Sequence, residues 1–280
     1  MPLYRLYRDE GARLDRQKSR LMWLIEELGL PTFTERVLAE MRKSNPSFSF
    51  EAAQNHKEEW TLGHRELLGP NPQKQEGLTF IGVHVPVGRL YPDECEEIAA
   101  LADKYSNGEI RLTVDQNVIF PNVDNAKVAD FLAEPALGPG KRLSANPGHI
   151  VGHVISCTGS QFCPLAMVET KKSIDNITRK LQDIVDVPHP VRIHMTGCPN
   201  SCGQVQVADI GLMGAPAKKA DATGTMKAVP GCNIFVGGKI GADSSLVTEP
   251  IMKGIPMAED DLVPVLAKLL VERHGGVMKV

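Results

Sequence analysis

The chain has 280 residues, 42% hydrophobic and 23% charged, with a formal net charge of −3. That length can bury one or two sizeable cores. The near-neutral balance excludes a strongly basic nucleic-acid binder, and no apolar run approaches the roughly 20 residues that cross a membrane.

The N-terminal residues Arg5, Arg8, Arg13, Arg16, Lys18 and Arg20 are interrupted by Asp9, Glu10 and Asp15. No apolar segment follows, so neither a secretory signal nor an acid-poor transit peptide is visible. Residues 14–28 carry Leu14, Leu21, Leu24, Ile25 and Leu28 at helical spacing, up to Gly29. Thr32 and Glu35 are spaced as a capping box for a second helix bearing Phe33, Val37, Leu38 and Met41. Residues 44–76, with Pro46, Pro70 and Pro72, have no sustained period and read as a linker or packed arm.

Ile81, Val83, Val85 and Val87 alternate as a strand. Pro92 opens a helix with Asp93, Glu94, Glu96 and Glu97 near its start, and Asn107-Gly108 closes it. Cys95, Ile98, Ala102 and Tyr105 are expected on its buried face. Ile110, Leu112 and Val114 alternate again, opposite Arg111, Thr113 and Asp115. After a corner at Asp115-Gln116-Asn117 come a strand at Val118-Ile-Phe120 and a helix over 125–134, with Val128, Phe131 and Leu132 inward. The order β-α-β-β-α is that of a ferredoxin-like or split βαβ unit.

Pro135, Pro139, Pro147 and neighbouring glycines place a boundary in 135–149. A short strand through Val151, Val154 and Ile155 leads into Cys157-Thr-Gly-Ser-Gln-Phe-Cys163. Pro164 is expected to start a long helix with Met167, Ile174, Ile177, Leu181 and Ile184 on its core face, putting Cys163 at a helix N-terminus. Lys171, Lys172, Arg179 and Lys180 then form a basic face, solvated or offered to an acidic protein. Val191, Ile193 and Met195 form a strand feeding Cys198-Pro-Asn-Ser-Cys202-Gly, with His194 in a core position. Strands over 208–213 and 233–236 and a helix over 260–273 complete an α+β chain, and Cys232 alternates with Ile234 and Val236 as a core thiol. The organisation expected is 1–76 helical segment and linker, 77–137 ferredoxin-like domain and 138–280 cysteine-bearing domain.

Six cysteines in a chain this long, four of them clustered as C-x5-C and C-x3-C, describe a reducing compartment and not a disulfide scaffold. Thiolates select zinc, copper(I) or iron–sulfur clusters. The Thr, Gly, Ser, Gln, Pro and Asn between these cysteines make turns that aim backbone N–H groups inward, as a cluster needs. Spacing and turn chemistry leave cluster, zinc and redox dithiol open.

Cys157-Thr-Gly-Ser-Gln-Phe-Cys163 and His194-Met-Thr-Gly-Cys198-Pro-Asn-Ser-Cys202-Gly-Gln-Val-Gln-Val-Ala-Asp-Ile-Gly211 resemble the sirohaem–[4Fe–4S] signature of nitrite and sulfite reductases. Pro72-Gln-Lys-Gln75, His84-Val-Pro-Val-Gly-Arg-Leu90 and Arg111-Leu-Thr-Val-Asp-Gln-Asn117 resemble the plant-type ferredoxin–nitrite reductases. The likeness runs from about Tyr7 to the C-terminus. Gly197-Cys-Pro-Asn-Ser-Cys-Gly-Gln204 is closer to nitrite reductases, whereas Pro164-Leu-Ala166 is more like the sulfite enzymes.

The resemblance implies a ferredoxin-like βαββα unit followed by an α/β sirohaem/[4Fe–4S]-binding domain. It implies ferredoxin-dependent six-electron reduction of nitrite to ammonium in nitrate assimilation. Cys157, Cys163, Cys198 and Cys202 would bind the cluster, with Cys202 also bridging to the sirohaem iron. Sirohaem is a polycarboxylate and calls for cations and hydrogen-bond donors. The candidates are Arg111, Gln116, Asn117, Thr158, Gln161, Thr196, Asn200 and Gln204. Family members have two pseudo-symmetric halves around one sirohaem, and this chain resembles only the C-terminal half. The Arg and Lys residues that hold the substrate anion come mainly from the other half. The expectation is therefore a fragment or one part of a split enzyme, inactive alone and partnered by an N-terminal half, in the plastid stroma or cytoplasm. The alternatives are an assimilatory sulfite reductase, a non-catalytic [4Fe–4S] electron-transfer subunit and a zinc-binding structural domain.

Overall fold

A computed structural model describes residues 1–14, 19–49, 67–240 and 244–279. The chain divides into two compact units, Met1–Trp60 and Thr61–Val280.

The first unit holds α1 (Pro2–Glu10), α2 (Leu21–Leu28) and α3 (Leu30–Ser44), around a small core of Leu6, Leu24 and Phe33. The helix expected over 14–28 is shorter: Leu14 is exposed, and residues 15–18 lie outside the described ones. Gly29, at φ +73, both ends α2 and precedes α3. With Pro31 in its first turn, α3 begins ahead of Thr32, so no Thr32–Glu35 capping box forms. Most of the expected linker, residues 50–66, lies outside the described residues.

The second unit contains two main sheets. The first is antiparallel, in the order β1-β2-β4-β3, built from β1 (Gly69–Pro72), β2 (Leu78–Val83), β3 (Arg111–Leu112) and β4 (Val118–Asp124). β1 falls where a linker was expected; an edge strand tolerates Pro70 and Pro72 because its outer N–H groups need no partner. α4 (Pro92–Tyr105) and α5 (Val128–Leu132) pack on this sheet, where Phe131 meets Tyr105 and Phe120 edge to face.

Three expectations about its faces are corrected. Cys95 is exposed, because buried Glu94 turns inward instead. Glu94 accepts from the Tyr91 N–H at 2.9 Å and from Arg142 at 2.6 Å, which sets the rotation of α4. Ile110, Leu112 and Val114 are exposed too, Leu112 at 78%, because β3 is a two-residue edge strand with nothing over it. Leu132 also faces out, since the helix expected over 125–134 is α-helical only from Val128 to Leu132.

The second sheet runs in the order β10-β9-β8-β7-β5, from β5 (Val154–Ser156), β7 (Ile193–Thr196), β8 (Ile210–Ala220), β9 (Met226–Val236) and β10 (Met252–Pro256). β5, β7 and β8 are parallel, and β8, β9 and β10 antiparallel. α6 (Lys171–Ile184) and α7 (Glu259–His274) share one core with this sheet, which includes Ile174, Ile177, Leu181, Ile193, Met195, Ile234 and Leu266. Cys232 is wholly buried in it, and burial pushes its thiol up to about 12. A short pair, β6 (Val185–Asp186) with β11 (Val277–Met278), closes the far end.

Candidate metal centre

The two cysteine loops leave the same edge of the second sheet. β5 and β7 are adjacent and parallel, with Ser156 opposite Met195, so Cys157 and Gly197-Cys198 emerge side by side from their C-terminal ends. Ligand sites in open α/β sheets form at such strand ends. The Cys157 N–H donates to the Met195 carbonyl at 3.0 Å, and the Gly197 N–H donates to Cys157 Sγ at 3.2 Å. The Met167 N–H donates to the Gly197 carbonyl at 2.8 Å. The loops are thus stitched to each other by backbone donors, one of them already aimed at a sulfur.

The same stitching corrects the helix expected from Pro164. Residues 164–170 are turns, because Met167 bonds across to Gly197, and the Val168 carbonyl accepts from Ser160 at 3.0 Å. α6 begins only at Lys171, where the Glu169 carboxylate accepts from the N–H groups of Lys172 and Ser173. Cys163 therefore sits in a turn and not at a helix N-terminus, and Met167 is exposed.

Thr170, fully buried, donates from Oγ1 to the Cys157 carbonyl at 2.7 Å. Gly159, at φ +76, must stay small, since a Cβ there would stand 2.4 Å from Thr170 Oγ1. In the second loop, Ser201 and Gln204 take positive φ, and a Cβ on Gly203 would stand 2.3 Å from the Met195 carbonyl oxygen. Cys198 is buried, Cys157 and Cys163 are half-buried, and Cys202 is exposed.

Below these turns lie polar groups with unspent capacity. His194 is fully buried; its Nδ1 stands 3.1 Å from the Gln204 carbonyl oxygen, which only accepts, so Nδ1 donates. Nε2 of His194 and Oγ1 of Thr196 have no partner among the described residues. Burial lowers the His194 pKa. Among the described residues, no three His, Cys, Asp or Glu side chains converge as ligands of one ion.

The nitrite/sulfite reductase ferredoxin-like half domain matches residues 71–137, and the nitrite and sulphite reductase 4Fe-4S domain matches residues 148–271. A chloroplastic ferredoxin–nitrite reductase of Zea mays is 48% identical over 97% of this chain and 46% of its own length. The ferredoxin–nitrite reductase of Synechococcus elongatus is 48% identical over 97% of this chain and 49% of its own length. The solved structure of the Mycobacterium tuberculosis NirA protein superposes with a TM-score of 0.77 at 27% identity, covering 95% of this chain and 47% of that one. The chain belongs to the nitrite and sulfite reductase family. It spans about half the length of the curated relatives it matches.

The other candidate residues fall partly on the cysteine loops and partly on the hairpin of the first sheet. Thr158, Gln161, Asn200 and Gln204 are exposed on the loops themselves, while Thr196 is buried at the stem of the second. Gln116 reaches the first loop directly: Nε2 donates to the Ser156 carbonyl at 2.9 Å, and Oε1 accepts from the Ser156 N–H at 3.1 Å. Asn117 is buried and supports the hairpin, its Oδ1 accepting from the Val85 N–H at 3.0 Å and from His84 Nδ1 at 3.1 Å. Arg111 is exposed and pairs with Glu109 at 2.6 Å.

The expected basic face of α6 is not uniform. Arg179 pairs with Asp175, Lys180 with Glu259, and Lys171 turns inward to the carbonyls of Val87 and Ser156. Lys171 and Arg89 are the residues that sequence reading missed here; Arg89 donates to Gln161 Oε1 at 2.8 Å. Arg89 lies within the quoted 84–90 motif, and that signal could have found it; Lys171 left none beyond its charge. Four thiols on two touching turns, with unspent polar groups and an inward ammonium, fit an anionic iron–sulfur group.

Proposed function

We propose that this chain is the C-terminal half of a ferredoxin-dependent nitrite reductase, holding a [4Fe–4S] cluster and one side of a sirohaem site. The observation that carries it is the joining of two family-like cysteine turns at the ends of β5 and β7, in a chain 48% identical to ferredoxin–nitrite reductases. When bound, the two groups would store and deliver single electrons for the six-electron conversion of nitrite to ammonium. Cys157, Cys163, Cys198 and Cys202 would hold the cluster, and Cys202, the exposed cysteine, would also serve as a ligand of the sirohaem iron. Thr158, Gln161, Asn200 and Gln204 offer donors to sirohaem carboxylates from the loop surface, and Thr196 offers a buried hydroxyl from the stem of the second loop. Gln116 and Asn117 act by positioning the first loop and the hairpin beside it. Arg111 would have to leave Glu109 to reach a carboxylate. Ferredoxin is the electron donor, nitrite the substrate, and the N-terminal half the structural partner. The compartment is the plastid stroma or the cytoplasm, the first matching the chloroplastic relatives. No helix among the described residues is long and apolar enough to cross a membrane.

Losing one positioned electrostatic stabiliser costs about 10²–10³ in rate, and this chain lacks the set expected from the other half. The test is ammonium production from nitrite, with reduced ferredoxin or a viologen dye as donor. The isolated chain should turn over negligibly, and supplying the rest of the enzyme, in cis or as a separate chain, should restore sirohaem retention and turnover together. Robust turnover by the chain alone would overturn the half-enzyme reading. A preference for sulfite in the completed enzyme would favour the alternative to which Pro164-Leu-Ala166 leans.

A further inference from the structure

A lysine at the end of the first cysteine loop turns inward onto carbonyl groups and makes no ion pair among the described residues. Lys171 is half-buried at the start of α6, and its Nζ donates to the Val87 carbonyl and, at 3.2 Å, to the Ser156 carbonyl. Among the described residues no carboxylate stands within ion-pair distance of it, although Arg179 and Lys180 on the same helix each have one. A buried charge without a counter-charge is costly. Burial and the neighbouring Arg89 lower the Lys171 pKa, while Cys157 and Glu169 act in the opposite sense.

The ammonium is held in place from the ferredoxin-like side. Val87, a β-branched residue, sits at φ 49, a strained left-handed conformation, and the next residue, Gly88, packs so closely that a Cβ would stand 2.7 Å from Gln116 Cβ. Gln116 in turn grips both sides of Ser156, the residue preceding Cys157. Two elements therefore fix Lys171 beside the first cysteine.

We propose that Lys171 is a positioning residue that sets the reduction potential of the iron–sulfur centre held through Cys157, its fixed positive charge favouring the reduced form. The proposal rests on the reading that these cysteines hold a cluster. One-electron reduction adds one negative charge to the centre and breaks no bond. A fixed cation in a poorly solvated position stabilises that added charge more than it stabilises the oxidised form.

The test is an EPR-monitored redox titration, with dithionite as reductant and dye mediators, on the full chain after anaerobic cluster reconstitution. Wild type, Lys171→Met, Lys171→Gln and Lys171→Arg are compared, with iron content measured in each. Lys171→Gln keeps an N–H donor for the two carbonyls but drops the charge, so it separates charge from loop support if Lys171→Met does not fold. The neutral variants should keep their iron and lose about tenfold in the reduction equilibrium constant, a drop of about 59 mV for one electron. Lys171→Arg should stay within about twofold of wild type. An unchanged potential in an iron-loaded neutral variant overturns the proposal. Equal iron loss in Lys171→Gln and Lys171→Arg also overturns it, by making the role structural. Wild type that takes up no iron would sink the cluster reading itself.

Discussion

The two cysteine loops solve the same problem in different ways. The first, 157–170, is held largely from outside: Gln116 and Lys171 grip the residue before Cys157 and Arg89 grips Gln161, while Thr170 grips the Cys157 carbonyl from within the loop. The second, 197–204, is shaped by left-handed Ser201 and Gln204, steadied by His194 beneath it and tied to the first loop at Gly197. The first loop depends on the ferredoxin-like part of its unit, and the second on its own strand. The first loop is the longer and carries exposed Phe162, Leu165 and Met167, and it adds outside anchors to internal bonds such as that from the Ser160 N–H to the Val168 carbonyl. The second is short and ends in Cys202, which stays accessible to a further group.

Removing the thiols should have the largest effect on both loops. Serine at Cys157, Cys163, Cys198 or Cys202 should abolish or convert the cluster in a reconstituted chain, read as iron per protein. Cys95→Ser should keep full iron, and Cys232→Ala should keep its iron while losing stability, because that thiol is buried in the core. Equal iron loss from the Cys95 and Cys232 variants would show that the two loops are not the binding unit.

Glycine substitutions probe the loops without touching a ligand. Gly203→Ala forces a Cβ to within 2.3 Å of a strand carbonyl that cannot move away, and should cost about 3 kcal/mol in denaturant unfolding. Gly159→Ala meets the Thr170 hydroxyl at 2.4 Å and its backbone nitrogen at 2.8 Å, adds left-handed strain, and should cost about 2 kcal/mol. A change under about 0.5 kcal/mol at Gly203 would mean that the second loop is not packed on its strand as described.

Acid acts on the support beneath each loop. Burial holds His84, which steadies the Asn117 corner, down to about 4, and lowers His194 under the second loop. The unfolded chain takes up these protons near pH 6.5, and the folded chain does not. Stability is therefore fully present above about pH 6.5 and falls as pH drops toward 4, by about 2–3 kcal/mol for His84. Urea midpoints measured across this range should show the fall, and His84→Gln should flatten most of it. A midpoint that rises on acidification would reverse the sign of this account.

The smallest effect concerns one hydrogen bond. Thr170→Val keeps the shape and removes the donor to the Cys157 carbonyl, which should cost about 1 kcal/mol. Proteolysis should then nick the first loop before the second.

The sequence made the second sheet and its cysteine turns legible because apolar alternation and turn residues coincide there. Val154 and Ile155, and Ile193 and Met195, each lead straight into a cysteine. It misled where a side chain found a partner that local pattern does not show. Glu94 took the inward place on α4 because Arg142 neutralises it, leaving Cys95 outside. Pro164 looked like a helix start, yet the backbone after it is spent on the neighbouring loop. Lys171 looked like part of a solvated face, and its partners are carbonyls from residues far back in the chain. The long β8–β9 hairpin was read only at its apolar base because its outer half, largely exposed Ala, Pro and Lys, carries no clear apolar alternation. Long-range pairings carry no local period, and the candidate site is made largely of them.

The central claim is that the two loops converge on one polynuclear centre. Iron and acid-labile sulfide should therefore be measured on the anaerobically reconstituted chain, alongside the EPR spectrum of its reduced form. About four iron and four sulfide per chain with one fast-relaxing signal is the result expected of a [4Fe–4S] cluster on four cysteines. A single tightly bound zinc or iron without sulfide, lost on mutation of any loop cysteine, would contradict it.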